Sequence, residues 1–194
     1  LASISRLSHH VWSPEQRAMH GEAGRRVDRV LDEAFAHIGD ALRTGSRVTE
    51  FDIAEFIRNR FSENGLYTDH GPIVATNAHA GDPHYEPMRE GSSEIQRGDL
   101  VLIDLWAKLA QPRAVYYDIT WMAYCGPRVP AEIQRVFDIA RGARDLALHT
   151  VKTARRAGRA IAGWEVDAAA RAHIAAQGFG DRFTHRLGHS IGED

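Results

Sequence analysis

A chain of 194 residues can bury one well-formed core and is short for two, so it reads as a single globular unit without a separate substrate domain. Hydrophobic residues at 43% and charged residues at 26% describe a folded chain. Lys+Arg 24 against Asp+Glu 26 leaves no field to draw in nucleic acid or an anionic membrane, and both are excluded as partners. The one basic cluster, Lys152, Arg155, Arg156 and Arg159, falls near a predicted helix end, where cations suit the helix dipole. A single cysteine, Cys125, allows neither an internal disulfide nor a Cys-based zinc site, which fits a reducing, cytoplasmic compartment. Any metal must therefore be held by His and carboxylates. No apolar run approaches the roughly 20 residues needed to span a bilayer, and the opening LASISRLSHH has no signal-peptide core. The chain begins with Leu rather than Met, so the sequence does not decide whether a segment precedes it.

Ser13-Pro14-Glu15-Gln16 reads as an N-cap, a first-turn proline and a capping-box glutamine. The helix it opens carries Val27, Val30, Leu31, Ala34, Phe35, Ile38 and Leu42 on one face and ends near Gly45. Thr49 with Asp52 starts a second helix that buries Ile53, Phe56, Ile57 and Phe61 and closes at Gly65. The period then changes. PIVATN, DLVLIDLWAKL and AVYYDITWMAY, rich in β-branched and aromatic residues, predict three strands. The first two are separated by the polar stretch NAHAGDPHYEPMREGSSEIQRG, a loop of the length that in compact domains carries function.

After Gly126 the helical period returns, with Pro130 near the start and Ile133, Val136, Phe137, Ala140, Leu146 and Val151 assigned to the buried face. A shorter helix runs from about Glu165 to Gln177 and closes at Gly178, followed by a strand-like piece in FGDRFTHRLGHSIGED. Each half thus orders helix, helix, strand-like segment and histidine loop, an internal repeat with a first copy at about 14–126 and a second at about 130–194. The first histidine segment leads into two acidic strands. The second, at His189, is followed by five residues, so the second copy is expected to be truncated.

Asp104 in VLIDLW and Asp118 in YYDITW are acidic residues in apolar strands, expected to be buried, where a carboxylate costs several kcal/mol unless paired, hydrogen-bonded or bound to a cation. On adjacent strands the two can converge on one metal ion; singly, each could cap a strand or pair with an arginine. His189 in HRLGHSIG lies between Gly188 and Gly192 and is a candidate imidazole ligand, with His185 four residues before it. Carboxylates with one imidazole suit Mn, Co, Zn or Fe(II). In the polar loop His84 can donate to a substrate carbonyl or developing oxyanion, and His79 is its rival or plain loop surface.

The ordered set DPHYEP, GDLVLIDLWA, YYDITW, GWEVDAAAR and HRLGHSIG, over residues 15 to 194, resembles the pita-bread metallopeptidases, which include methionine aminopeptidase, Xaa-Pro aminopeptidase, prolidase and metal-free creatinase. The resemblance implies an α+β pita-bread (creatinase/aminopeptidase) fold, helices packed on a curved antiparallel sheet with the second half incomplete, forming one catalytic-type domain over 1–194. It implies that Asp104 and Asp118 bind a pair of divalent metal ions, Asp118 bridging both, and that His189 binds the second. It further implies that His84 is the catalytic proton donor or a substrate contact, that His185 lines the substrate pocket, and that Thr120 supports the metal carboxylates. The partner is a peptide, cleaved beside its free N-terminus by a metal-activated water, and a homodimer is allowed. HRLGH and PHYEP look more like the proline-peptidase branch.

Three departures qualify the resemblance. QPRAVY is inserted between the two aspartate strands, where a hairpin can absorb it without a change of register. Thr120-Trp121 replaces the usual Thr-Arg and removes a charge that could contact substrate or a second subunit. The family's two glutamate ligands and a further histidine, expected past GHSIG, do not occur before Asp194, and Glu193 does not match them. The implied site is therefore incomplete, and the chain by itself is expected to be inactive. A creatinase-like, metal-independent C–N hydrolase and a non-catalytic pita-bread binding module are the alternative readings.

Overall fold

The computed structural model describes residues 11–194, so the opening segment read for targeting lies outside the described residues. It resolves into two compact units, one running to Pro127 and taking in Ile191–Asp194, the other comprising Arg128–Ser190. The boundary falls between the two segments read as repeats. The final residues join the first unit because the Tyr116 amide donates to Gly192 O (3.0 Å), Trp12 Nε1 to Ile191 O (3.2 Å) and Gln16 Nε2 to Glu193 Oε1 (2.6 Å).

The first unit begins with α1 (Pro14–Thr44), started by the Ser13/Gln16 capping box and stopped at Gly45, whose φ of 76° needs a residue without a Cβ. Helix α2 (Glu50–Glu63) starts with the Thr49/Asp52 box. A two-residue strand that the sequence did not signal, β1 (Leu66–Tyr67), precedes β2 (Ile73–Thr76), β3 (Leu100–Leu109) and β4 (Tyr117–Tyr124). Strand β3 pairs antiparallel with each of the other three. Its odd-numbered residues Val101, Ile103, Leu105, Ala107 and Leu109 are buried against α1 and α2 along with Val27, Val30, Ala34, Ile53 and Ile57. At Gly24 a Cβ would stand 2.9 Å from the Tyr117 ring, so a glycine is needed where α1 crosses β4.

The QPRAVY insertion does not loosen the hairpin. Ala114, Val115 and Tyr116 are buried, and the ladder resumes with Tyr117 opposite Ala107.

The second unit is α3 (Ala131–Arg156) against α4 (Gly163–Ala176), followed by one 3₁₀ turn at Gly180–Arg182. The assigned buried face of α3 is wrong. Val136, Phe137, Ala140, Leu146 and Val151 are exposed, and the buried positions are Ile139, Ala143, Ala147 and Ala154. Small residues win because the two helices approach closely: a Cβ at Gly142 would lie 2.8 Å from His173 Nε2. No strand forms at Phe183–Leu187, which runs as irregular chain.

Ile103→Ala should lower unfolding free energy by about 2–5 kcal/mol, as expected for a fully buried aliphatic side chain, with an unchanged urea m-value. Val136→Ala should stay within about 0.5 kcal/mol. A comparable loss at both positions in urea titrations would contradict this division between core and surface.

Candidate functional site

Alternation along β3 explains how an acidic residue can sit in an apolar run. Asp104 is flanked in sequence by buried Ile103 and Leu105 but points to the opposite face, where it is half-exposed, and Asp118 on β4 is half-exposed likewise. The expectation that both are buried is therefore corrected: a period of two places them on the face turned away from the helices. The register sets Asp104 opposite Thr120 and Trp106 opposite Asp118, so these four residues share that face. Diagonal neighbours of this kind lie about 7–8 Å apart, a span two carboxylates can close on a common centre. Thr120 Oγ1 donates to Asp104 Oδ1 at 2.6 Å and fixes that carboxylate's rotation. Trp121, which stands where the resemblance expects an arginine, pairs with Ile103 and belongs to the other face.

Beside the carboxylates, Trp106 Nε1 donates to Asp69 Oδ1 at 3.2 Å, orienting the indole. Burial raises the Asp69 pKa, but this bond and those from the neighbouring amides and His70 bring the net shift below the usual range. A cleft of about 420 Å³ opens here, walled by Phe51, Ile73, Met88 and Trp106 with Arg58 and Arg89. Ile73 and Trp106 are the ladder partners of Asp104 and Asp118, so the cleft borders the acidic face directly.

The long polar loop is held by a residue that no sequence motif singles out. Glu50, the first residue of α2, is fully buried. Its Oε1 accepts from the Thr76 amide (2.6 Å), Thr76 Oγ1 (2.8 Å) and His79 Nδ1 (2.9 Å). Its Oε2 accepts from Tyr85 Oη (2.5 Å) and the Ser93 amide (2.7 Å). Burial raises the carboxyl pKa, yet the bonds from Tyr85, Ser93, His79 and Thr76 outweigh it and the net shift is downward. Burial and the adjacent carboxylate push the Tyr85 hydroxyl up to about 12.

His79, stacked on Tyr85 at 4.2 Å between centroids, is thus a loop anchor rather than loose surface. His84 follows on the anchored loop with an exposed side chain, its amide donating to Asp82 Oδ1 at 2.9 Å. The only sequence cue to Glu50 was an acidic residue one position after the Thr49 N-cap, which reads as an ordinary dipole partner.

In the second unit His185 and His189 lie on the irregular segment after the 3₁₀ turn, both exposed. His189 Nδ1 is 3.0 Å from Ser190 O, and the two histidines line a hollow of about 860 Å³ with Trp164 and Leu187. Among the described residues no group of three or more His, Cys, Asp or Glu side chains gathers as a metal cluster. Glu193 is engaged with Gln16, as above.

Glu50 should show in the acid limb of stability. A carboxyl with a lowered folded pKa contributes stability that is full above the unfolded value of about 4.3 and is lost as pH falls through the folded value. Wild type should exceed Glu50→Gln most at pH 7, and the gap should shrink below about pH 4 in denaturant titrations. A gap independent of pH would mean that Glu50 is not charged in the folded protein.

Residues 18–194 match the Metallopeptidase family M24 model. The Xaa-Pro dipeptidase of Lactobacillus helveticus is 29% identical over 199 residues, covering 98% of this chain and 47% of that protein. The X-Pro aminopeptidase of Thermotoga maritima superposes with a TM-score of 0.74 at 25% identity, over 98% of this chain and 48% of that one. The X-prolyl aminopeptidase of Caenorhabditis elegans, described as a cytosolic enzyme with a di-nuclear active site, is alike in fold, with a TM-score of 0.70 at 22% identity over 88% of this chain and 27% of that one. The fold is α+β of the pita-bread aminopeptidase kind, and the chain spans about half the length of the first two relatives or less. With a family match reaching from residue 18 to the last residue, the chain belongs to metallopeptidase family M24.

Proposed function

We propose that this chain supplies part of the working site of a dinuclear-metal peptidase that releases an N-terminal residue, acting on Xaa-Pro peptides. The observation that carries this reading is the open sheet face on which Asp104 and Asp118 stand as diagonal neighbours, Asp104 steadied by Thr120. Carboxylate oxygens there are hard donors of the kind that Mn, Co, Zn or Fe(II) takes, and His189, in the other unit, is the imidazole this reading adds as a ligand. Two such ions would supply polarisation of the scissile carbonyl and a water acidified to attack it.

The chain's own residues do the rest. Asp104 and Asp118 concentrate negative charge, and Thr120 limits the rotation of Asp104 so that one oxygen keeps its direction. His84, presented on the loop that Glu50 anchors, donates a proton or hydrogen bond to the carbonyl oxygen as charge develops. His185 contacts the substrate. The cleft beside Trp106 takes an apolar side chain, its Phe51, Ile73 and Met88 walls excluding water.

A peptide is the partner this reading requires, and a homodimer is compatible with it. A cytoplasmic location goes with this reading; the half-buried Cys125 thiol, its pKa pushed up by burial and by Asp99, is a poor nucleophile and takes no part in it. Among the described residues no helix is long and apolar enough to cross a membrane.

In the full-length protein, Asp118→Ala should abolish hydrolysis of Xaa-Pro peptides and lower manganese uptake, with an unchanged circular dichroism spectrum. Thr120→Ala should weaken metal affinity or activity by about 10–100-fold. Full activity of Asp118→Ala would overturn the metal assignment. Activity unaffected by exhaustive chelation would favour the creatinase-like alternative.

A further inference from the structure

Helix α4 carries a pair of charges whose work none of the preceding roles accounts for. Asp167 and Arg171, four residues apart in GWEVDAAAR, meet along the helix face, with Arg171 Nε donating to Asp167 Oδ2 at 3.0 Å. A surface pair of this spacing contributes a few tenths of a kcal/mol and usually does nothing else. Here both partners turn outward to backbone groups of another segment. Asp167 Oδ1 accepts from the Leu187 amide at 2.8 Å. Arg171 Nη1 donates to Phe183 O at 2.7 Å, Nη2 donates to His185 O at 2.9 Å, and the guanidinium carbon lies 4.4 Å from the centre of the Phe183 ring.

That segment needs such partners. Residues 183–190 form neither helix nor strand, so their amides and carbonyls have no ladder to satisfy them. Three successive odd-numbered residues, Phe183, His185 and Leu187, are fastened through their main chain by these two side chains, while the side chains of His185 and His189 face solvent. Arginine's rigid fork can hold two carbonyls and a carboxylate at once. A lysine carries one nitrogen on a flexible stem and cannot.

We propose that Asp167 and Arg171 are a positioning pair: they set the backbone of residues 183–187 and so the direction in which His185 and His189 are presented. What the histidines then do rests on the peptidase reading, but the positioning itself does not. The test therefore uses neither substrate nor metal. In the 194-residue chain, amide exchange followed by NMR should show the Leu187 amide exchanging at least tenfold faster in Asp167→Ala, with amides inside α3 and α4 unchanged. The His185 and His189 imidazole C–H resonances should be shifted from wild type in Asp167→Ala and in Arg171→Ala.

Arg171→Lys keeps the charge opposite Asp167 and should fail to restore the wild-type resonances, because it cannot bridge the two carbonyls. Wild-type imidazole resonances in Arg171→Lys would overturn the proposal, leaving the pair a simple charge contact. Faster exchange throughout α3 and α4 would overturn it as well, since the pair would then stabilise the unit generally. Loss of peptidase activity elsewhere leaves these measurements readable, so the two readings fail separately.

Discussion

The buried carboxylate of Glu50 is the interaction on which the first unit's long polar loop depends. An ionised group cut off from water is stable only where fixed donors replace its hydration. Those donors come from the end of β2, from His79 and Tyr85 within the loop, and from Ser93 as the chain returns toward β3. A stretch too polar to bury itself is thus tied at three places to the start of one helix. Asn77 begins the departure from the sheet at a φ of 47°, its Oδ1 accepting from the Leu100 amide, so both ends of the excursion are fixed next to β3.

The second unit uses related physics with different chemistry. Its histidine segment also lacks regular structure, and it too is fastened by acidic chemistry borne on the second helix of its unit, Asp167 helped by Arg171. Glu50 is fully buried and satisfied largely by side chains and amides converging on it. Asp167 is not, and a bidentate cation extends its reach to carbonyls that a carboxylate could not hold. In each case the imidazole of interest is left outside the fastening, so loop geometry is decided without consuming the groups available for chemistry.

Between these loops in sequence stand β3 and β4, and the two faces of their sheet divide the labour. One face of β3 closes the core, and the other bears Asp104 and Trp106. Because β3 is central, its core-facing residues are held by helices and by neighbouring strands together, so the opposite face inherits a rigid backbone without being buried. Two carboxylates kept half-exposed retain part of their hydration, and this reduces the desolvation cost that full burial in the strand would impose. Thr120 adds direction where the backbone supplies position.

The sequence by itself determined whatever depends on local chemistry. The Ser13/Gln16 and Thr49/Asp52 boxes, the Gly45 stop, the apolar faces of α1 and α2, the three long strands and the placing of Asp104 and Asp118 on adjacent strands are encoded within a few residues of where they act. Tertiary structure alone decided which side of a pattern is covered and which distant groups meet. The apolar residues of α3 mark a helix, but its close approach to α4 through Gly142 selects Ile139 and small alanines for burial. Asp104 sits in an apolar string because successive residues alternate sides, and only the position of the helices shows which side is open. Glu50 and the Asp167–Arg171 pair look like ordinary helix charges in one dimension. Their partners lie between 12 and 43 residues away, beyond any local pattern, and only folding brings those donors and acceptors within hydrogen-bond distance.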